Sequence, residues 1–196
     1  MPITINGNGT ISGITAGGLP TGSVTTDTLA TSARPLFRSL AIIEHYEAHG
    51  TNGQAITTAD TWTDKILTRI YTDPDSIVSL NNNQFTLQAG TYYINWGSTF
   101  FEVDRCQSRL YNVTDSSVVK HSQNCFAQNS TAHVMIQPDG DARITITSAK
   151  TFKIQVFVDN LAVSANQELG IAGSAATNNA GSEELFARVL IYKEAS

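Results

Sequence analysis

Short runs in which large apolar residues alternate with polar ones occupy most of the chain after residue 34. In FKIQVFVD (152–159) every second residue from Phe152 onward is apolar, and ARITITSA (142–149) alternates isoleucine with arginine and threonine. A period of two puts one face of a strand in a core and the other in solvent. Because turn-forming residues interrupt the runs about every 8–15 positions, the pattern predicts an all-β antiparallel sandwich.

Two earlier runs are less regular. LFRSLAIIEHYEA (36–48) fits a helix or a strand by its period, and we interpret it as a strand because strands follow it. TWTDKILTRIYTD (61–73) is predicted to place Trp62, Ile66 and Ile70 on one face, although Asp64 breaks that pattern. The run NNQFTLQAGTYYINW (82–96) predicts a strand with Phe85, a glycine turn and then an aromatic strand.

The last run, LFARVLIYK (185–193), is apolar on both sides, with only Arg188 interrupting one face. One face fills the core of a sandwich, and the other then needs a neighbouring subunit. A strand at the centre of a thick monomer is the alternative. The alternating sets are Leu185, Ala187, Val189 and Ile191 on one side, and Phe186, Leu190 and Tyr192 on the other.

Residues 1–35 form a segment of a different kind, rich in Gly, Thr, Ser and Asn and free of aromatic rings before Phe37. NGNG (6–9) and GGLPTGS (17–23) are turn sequences. Such a segment buries too little apolar surface to order itself, so it is either a flexible linker or an extended arm that orders against a partner. The apolar and turn residues predicted to dock this arm are Ile5, Ile11, Ile14, Leu19, Pro20 and Leu29.

Composition narrows the range of partners. Charged residues make up 15% of the chain, the formal net charge is −5, and no cluster of Lys and Arg exists, which argues against binding to nucleic acid. No apolar run approaches the roughly 18 residues of a membrane span, so no membrane is expected. MPITINGNGT has neither the basic nor the apolar region of a secretory signal, and we therefore expect a route other than secretion.

Two cysteines, Cys106 and Cys125, flank the predicted hairpin CQSRLYNVTDSSVVKHSQNC. A turn centred on 115–116 sets Val113 opposite Val118, and the same register sets the cysteines opposite each other. Directly opposed Cβ atoms lie about 4.5–5.5 Å apart, near the separation that a disulfide needs. A disulfide and a pair of free thiols, the form expected in a reducing cytoplasm, both remain open, and a metal site would lack its other ligands.

No catalytic constellation emerges elsewhere, so the chain is not expected to be an enzyme or to carry a cofactor or metal. Asp139 and Asp141 in PDGDAR fit either a tight turn or a calcium-binding loop. Glu102 and Asp104 lie two residues apart, but a catalytic pair would need an opposing carboxylate. The stretch 161–183, which is rich in small residues, is predicted to be a surface loop, a receptor-contacting loop or a segment that wraps a neighbouring subunit.

In the order of its motifs, the chain from residue 36 to 196 resembles the tumour-necrosis-factor-like jelly roll, particularly the globular heads of complement and collagen-like proteins. NNQFTLQAGTYYINW carries the phenylalanine, glycine and tyrosine of their recurring motif, and LFARVLIYK resembles their closing strand with Arg188 in place of a glycine. Lys150 and Thr151 stand where the family usually has Gly-Asp. The resemblance implies a homotrimer whose last strand lies near the threefold axis, with Phe186, Val189, Leu190, Tyr192 and Tyr93 at the trimer interface.

The arm sequence NGTISGITAGGLPTGSVTTDTLA resembles segments of bacteriophage tail-fibre and virion surface proteins, as does SRLYNVTDSSVV. This resemblance implies a virion structural protein that assembles in the host cytoplasm, leaves by lysis and is displayed on the exterior of the particle. The expected function is capsid decoration by a cement protein, with the arm bound to a capsid or tail protein. The alternatives are a short tail fibre or receptor-binding tip for host attachment, which would contact a surface glycan or protein, and a freestanding lectin-like trimer.

Overall fold

The computed structural model describes residues 36–130, 133–163, 167–172 and 183–195, together with the backbone of two short strands nearer the N-terminus. The chain divides into two units, Met1–Leu36 with Ala195 and Phe37–Glu194 with Ser196. In the first unit, β1 (Thr4–Ile5) pairs antiparallel with β2 (Ile11–Ser12), on either side of the turn sequence NGNG. The remaining residues of the predicted docking arm, Ile14, Leu19, Pro20 and Leu29, lie outside the described residues.

Within the second unit, the described residues contain strands and no helix, which confirms the predicted all-β class. The strands are β3 (Phe37–Glu47), β4 (Thr63–Asp64), β5 (Arg69–Thr72), β6 (Val78–Asn81), β7 (Gln84–Leu87), β8 (Gly90–Ser98), β9 (Phe100–Phe101), β10 (Asp104–Asn112), β11 (Ser117–His121), β12 (Cys125–Ala127), β13 (Met135–Ile136), β14 (Asp139–Ile146), β15 (Lys150–Val158) and β16 (Glu184–Glu194).

Two antiparallel sheets face each other across a common core. One has seven strands: its main order is β11-β10-β15-β7-β6, with β12 added beside β10 and β4 beside β15. The other has five strands in the order β14-β8-β16-β3-β5. Strands that are far apart along the chain therefore pair at the centre of the five-stranded sheet, where β16 lies between β3 and β8.

The predicted alternation accounts for the core. Four residues of β15, Phe152, Ile154, Val156 and Val158, are at most 1% exposed, as the period of two requires. Trp96 of β8 is fully buried, and its indole N–H donates to the Ser108 hydroxyl of β10 over 3.0 Å, which joins the two sheets inside the core.

Tight turns agree with their sequences. Asn82 and Asn83 connect β6 to β7, and both have positive φ (49° and 65°), the conformation of the two-residue hairpin turn that Asn favours. In the sequence TDPDS (72–76), the Asp73 carboxylate accepts hydrogen bonds from the backbone N–H groups of Ile77 and Val78 over 2.9 and 3.0 Å. These bonds hold the chain in a tight turn before β6.

The interpretation of residues 61–73 as one strand is wrong. The segment crosses from the seven-stranded sheet, where β4 pairs with β15, to the five-stranded sheet, where β5 pairs with β3. Trp62 lies 5.6 Å from the Phe157 ring on the first sheet, whereas Ile70 lies opposite Ile43 on the second. Lys65 and Leu67 are buried where this segment crosses between the two sheets.

The alternation predicted for the last strand also fails at one point. Leu185 lies opposite Tyr46 and Ala187 opposite His45, so Phe186 is an extra residue in a β-bulge. The bulge turns Phe186 into the interior, where it is 2% exposed, and leaves Leu185 39% exposed. From Ala187 onward the predicted alternation holds, with Val189 and Ile191 fully buried.

Candidate functional site on the five-stranded sheet

The solvent-facing side of the five-stranded sheet carries two lateral rows of apolar side chains. In one row, Tyr192 of β16 lies opposite Leu40 of β3 and Tyr93 of β8. In the next row, Leu190 lies opposite Ile42. All five residues are partly exposed, because their neighbours in each strand are the ones that point into the core.

Three rings form a cluster at the end of the first row. The ring centroids of Phe37 and Tyr192 are 5.1 Å apart, those of Phe37 and Tyr93 are 6.3 Å apart, and those of Tyr93 and Tyr192 are 6.4 Å apart. All three pairs are tilted, a favourable arrangement for aromatic rings. Phe37 is 36% exposed, so the cluster presents aromatic surface to solvent in the single subunit.

A buried carboxylate lies beside these rows. The side chain of Glu44 on β3 is only 2% exposed, and arginines from both neighbouring strands bind it. Arg69 of β5 donates to Glu44 Oε2 from Nε (3.0 Å) and Nη2 (2.8 Å), and Arg188 of β16 donates to Oε1 from Nε (3.1 Å). Arg69 also donates to Glu183 from Nη1 and Nη2 over 3.0 and 2.7 Å.

This four-residue cluster is neutral overall, because two carboxylates face two guanidinium groups. The hydrogen bonds to Glu183 and Glu44 raise the pKa of Arg69 above its ordinary value. The hydrogen bond from Arg69 lowers the pKa of Glu183. A neutral, hydrogen-bonded cluster is the kind of polar group that tolerates further burial, because it adds no uncompensated charge to an interface.

Three of the predicted interface residues, Tyr93, Leu190 and Tyr192, come together on this open face. Their place at a subunit interface stays a prediction. Phe186 and Val189 do not lie there: they are 2% and 0% exposed inside the subunit, so their assignment to the interface is wrong. The bulge explains Phe186, and the alternation of β16 explains Val189.

The prediction missed Glu44, Arg69 and Phe37. The sequence contained one signal for Glu44, a single carboxylate between apolar residues in AIIEHY, where it lies on the same side of the strand as Ile42. No local pattern indicated its partners, because Arg69 and Arg188 lie 25 and 144 residues away along the chain.

The two cysteines are free thiols that lie opposite each other in the ladder between β10 and β12, with their sulfur atoms 3.4 Å apart. The predicted placement of the two cysteines opposite each other is confirmed. The pairing predicted for the adjacent valines is wrong, because a bulge between Leu110 and Tyr111 sets Tyr111, and not Val113, opposite Val118.

The remaining carboxylates serve structural contacts. Asp139 and Asp141 belong to β14 and form neither a turn nor a calcium-binding loop, and Asp141 lies 3.3 Å from the Lys120 amine. Asp104 accepts hydrogen bonds from the Asn129 backbone N–H (2.8 Å) and the Asn160 amide (2.7 Å). Glu102 is fully buried beside His133, 3.0 Å away.

Among the residues that the structure describes, no group of three or more potential metal ligands comes together. In the same part of the chain, no helix has the length and apolar character to cross a membrane. Residues 164–166 and 173–182 of the predicted surface loop lie outside the described residues. The role predicted for this loop therefore stays a prediction.

No family model and no curated protein matches this chain. Solved structures do resemble it. Murine APRIL at pH 8.0 has a TM-score of 0.50 at 8% identity, over 79% of this chain and 98% of that one. The globular domain of zebrafish complement 1qA has a TM-score of 0.46 at 15% identity, over 79% of this chain and 96% of that one.

Eiger TNF from S. frugiperda has a TM-score of 0.49 at 11% identity, over 83% of this chain and 95% of that one. At these identities the similarity concerns the fold and not the function. Together with the two facing antiparallel sheets, the likeness to APRIL shows that the chain has a TNF-like jelly-roll fold.

Proposed function

We propose that this chain is a structural protein of a bacteriophage virion: a homotrimeric surface knob that residues 1–35 fix to the particle, where it serves as a capsid decoration or cement protein. The observation that carries the proposal is the open face of the five-stranded sheet. It leaves Leu190, Tyr192 and the Phe37 ring partly exposed in the single subunit. A second and a third copy would remove these side chains from water.

The polar part of the same face supports assembly. A subunit interface depletes uncompensated charge at its centre and favours tyrosine, phenylalanine and arginine. Here Tyr93 and Tyr192 occupy the rows, and Glu44 is already paired with two arginines before any partner arrives. Because the Arg188 side chain is 47% exposed, it retains surface for a contact across the interface.

The sequence supports the virion assignment. The arm resembles segments of phage tail-fibre and virion surface proteins, and it has too few apolar residues for a core of its own. Three arms on one trimer would bind several capsid subunits at once, and linked binding sites add avidity without any new contact.

The second candidate function is a short tail fibre or receptor-binding tip. The observation that favours it is exposed aromatic surface on the opposite sheet, where Phe126 is 56% exposed. A decoration protein has no need of such surface.

Sedimentation velocity at micromolar concentration tests the assembly. We expect a trimer for the wild type and a monomer for Leu190→Glu, because a charge placed at the centre of the apolar rows cannot be desolvated without a partner. Val118→Glu is the matched control, since Val118 is 40% exposed on the other sheet. A monomeric wild type, or a trimeric Leu190→Glu that retains its circular dichroism spectrum, would refute the proposed interface.

Rebinding to stripped capsids tests the location. We expect the purified protein to bind capsids only when residues 1–35 are present, and not to bind host cells. Binding to host cells without binding to capsids would instead identify the receptor-binding tip. Absence of both would refute the virion assignment while leaving the trimer in place.

A further inference from the structure

A groove of about 710 Å³ opens on the solvent-facing side of the seven-stranded sheet, where β10 runs between β12 and β15. Its volume lies within the range of about 300–1,000 Å³ that small-molecule sites occupy. The groove is complete within one subunit. It is lined by Arg105, Cys106, Gln107, Asn124, Cys125, Phe126 and Phe157.

Strand alternation and register build its aromatic walls. Cys106 and Ser108 point into the core, so Arg105 and Gln107 between them point outward. Phe126 of β12 lies opposite Arg105, and Phe157 of β15 lies opposite Gln107. A phenylalanine therefore stands on each side of β10.

The two walls differ in their support. The Phe157 ring packs against Trp62, with the centroids 5.6 Å apart, so it is held in place. Phe126 is 56% exposed on a strand of only three residues, so most of its ring is open to a ligand.

The floor carries amide groups with unused hydrogen-bonding capacity. The Gln107 amide N–H₂ donates to the Ser122 carbonyl (3.0 Å) and to Asn124 Oδ1 (2.7 Å). These bonds fix the orientation of both amides. Within the described part of the chain, the Gln107 carbonyl oxygen and the Asn124 N–H₂ carry no hydrogen bond, which leaves one acceptor and one donor group for a ligand.

The charge at the groove is balanced. The Arg105 guanidinium donates to Asp159 over 3.1 Å, so this cation already has a counter-ion at the rim. The other lining residues are uncharged. An anionic ligand therefore gains little here, whereas a neutral ligand meets no repulsion.

We infer that the groove binds a neutral pyranose sugar. A pyranose ring has an apolar face of C–H groups and a rim of hydroxyls. The face packs on Phe126 and Phe157, and adjacent hydroxyls pair with the Gln107 carbonyl and the Asn124 amide, each of which offers a planar hydrogen-bonding group.

A peptide does not fit this position. Extended peptides bind to sheets by adding a strand at an unpaired edge, where free backbone groups form the hydrogen bonds. Here the backbone of β10 is already paired with β12 on one side and with β15 on the other. The groove offers side chains alone, which suits a small polyol.

This inference goes beyond the proposed knob and does not rest on it, because the groove and the open face of the five-stranded sheet belong to different sheets.

Ligand-observed saturation-transfer NMR on the full chain tests the inference. The probes are methyl α-glucopyranoside, methyl α-mannopyranoside, methyl β-galactopyranoside and N-acetylglucosamine at millimolar concentration, with glucuronate as the anionic comparison. We expect saturation of the ring C–H protons of at least one neutral sugar. Phe126→Ala and Gln107→Ala should each weaken that binding at least fivefold, and Val118→Ala, an exposed position on the same sheet, should leave it unchanged.

Failure of all four neutral sugars to show saturation would overturn the inference. So would binding of glucuronate alone, or a Phe126→Ala protein that binds like the wild type. Sedimentation of the same samples separates the two proposals, because a trimer that binds no sugar refutes the groove and leaves the assembly intact.

Discussion

At the scale of single residues, the most unusual group is a lysine in the core. Lys65 is 0% exposed, and its Nζ lies 2.8 Å from His45 Nδ1. His45 Nε2 in turn lies 3.1 Å from a carboxylate oxygen of Glu47. Burial lowers the pKa of Lys65 to about 7, against the raising effect of Glu47. Burial, and secondarily Lys65, lowers the pKa of His45 to about 3.

These shifts predict how stability depends on pH. The unfolded chain binds a proton at Lys65 up to about pH 10.5, whereas the folded chain releases it near pH 7. The free energy of unfolding therefore rises with pH between these values, by at most about 1.4 kcal/mol per pH unit from this group. Denaturant unfolding at pH 7 and pH 10 should show this rise in the wild type and a smaller one in Lys65→Met. Equal rises in both proteins would contradict the buried-lysine account.

His45 also makes the free energy of unfolding rise with pH, but in the acid range. Its folded-state pKa of about 3 lies below the ordinary 6.5, so the unfolded chain binds more protons between those values. Stability is therefore lost as the pH falls from 6.5 towards 3.

Gly170 is a second residue on which the packing depends. Its φ is +123°, and an added Cβ would lie 2.3 Å from Cδ1 of Phe186, the ring that the bulge turns inward. We expect Gly170→Ala to destabilise the protein by about 2 kcal/mol or more, through backbone strain and overpacking together.

Gly50→Ala is the matched control for that prediction. Gly50 also has a positive φ (+81°), but nothing lies within 4 Å of an added Cβ. Gly50→Ala should therefore lower the free energy of unfolding by only about 1 kcal/mol, through backbone strain alone. Denaturant unfolding of both variants separates backbone strain from overpacking. Equal losses of stability in the two variants would show that Phe186 does not restrict position 170.

At the scale of elements, the pairing of β10 with β12 depends on few residues. β12 has only three residues, and its ladder to β10 includes the pair Cys106 and Cys125. The sulfur atoms are 3.4 Å apart and the two cysteines already lie opposite each other. The side chains therefore need to move only a short distance to form a disulfide when an oxidant is present.

We expect oxidised glutathione to form the intrachain disulfide between Cys106 and Cys125 and to stabilise the fold by about 3 kcal/mol, the amount typical of a loop of this length. Intact-mass spectrometry should show the loss of two hydrogens, and thermal unfolding should shift upward. Cys125→Ser provides the control, since it should show neither change. Dimers linked between chains, in place of the internal bond, would contradict the prediction.

At the scale of the whole molecule, the division into two units has a consequence for function. Nearly all strands and both core clusters belong to Phe37–Glu194. We expect a protein lacking residues 1–36 to keep its melting temperature and its trimer while it loses binding to the particle. Calorimetry and sedimentation check the first part, and capsid rebinding checks the second. A truncated chain that aggregates or unfolds would show that the first unit is needed for folding.

The sequence by itself determined the all-β class, the main strands and most of the core. Alternation is a local property, so Phe152, Ile154, Val156 and Val158 could be assigned to the core before any pairing was known. The opposition of Cys106 and Cys125 was also predicted, but not the path to it, because the observed ladder pairs Asn112 with Ser117 and Arg109 with His121 before it reaches the cysteines. The open face of β16 was predictable from Leu190 and Tyr192. A strand that is apolar on both sides has only one side in the core of a two-sheet sandwich, so the other side stays on the surface.

Only the tertiary structure decided which residues meet across long separations. The inward turn of Phe186 depends on space left by Gly53 and Gly170, and no local pattern encodes that fit. Glu44 acquires its partners from β5 and β16, and the groove acquires its walls from β12 and β15. Periodicity predicts on which side of a strand a residue lies, but the strand that lies beside it depends on packing over the whole chain.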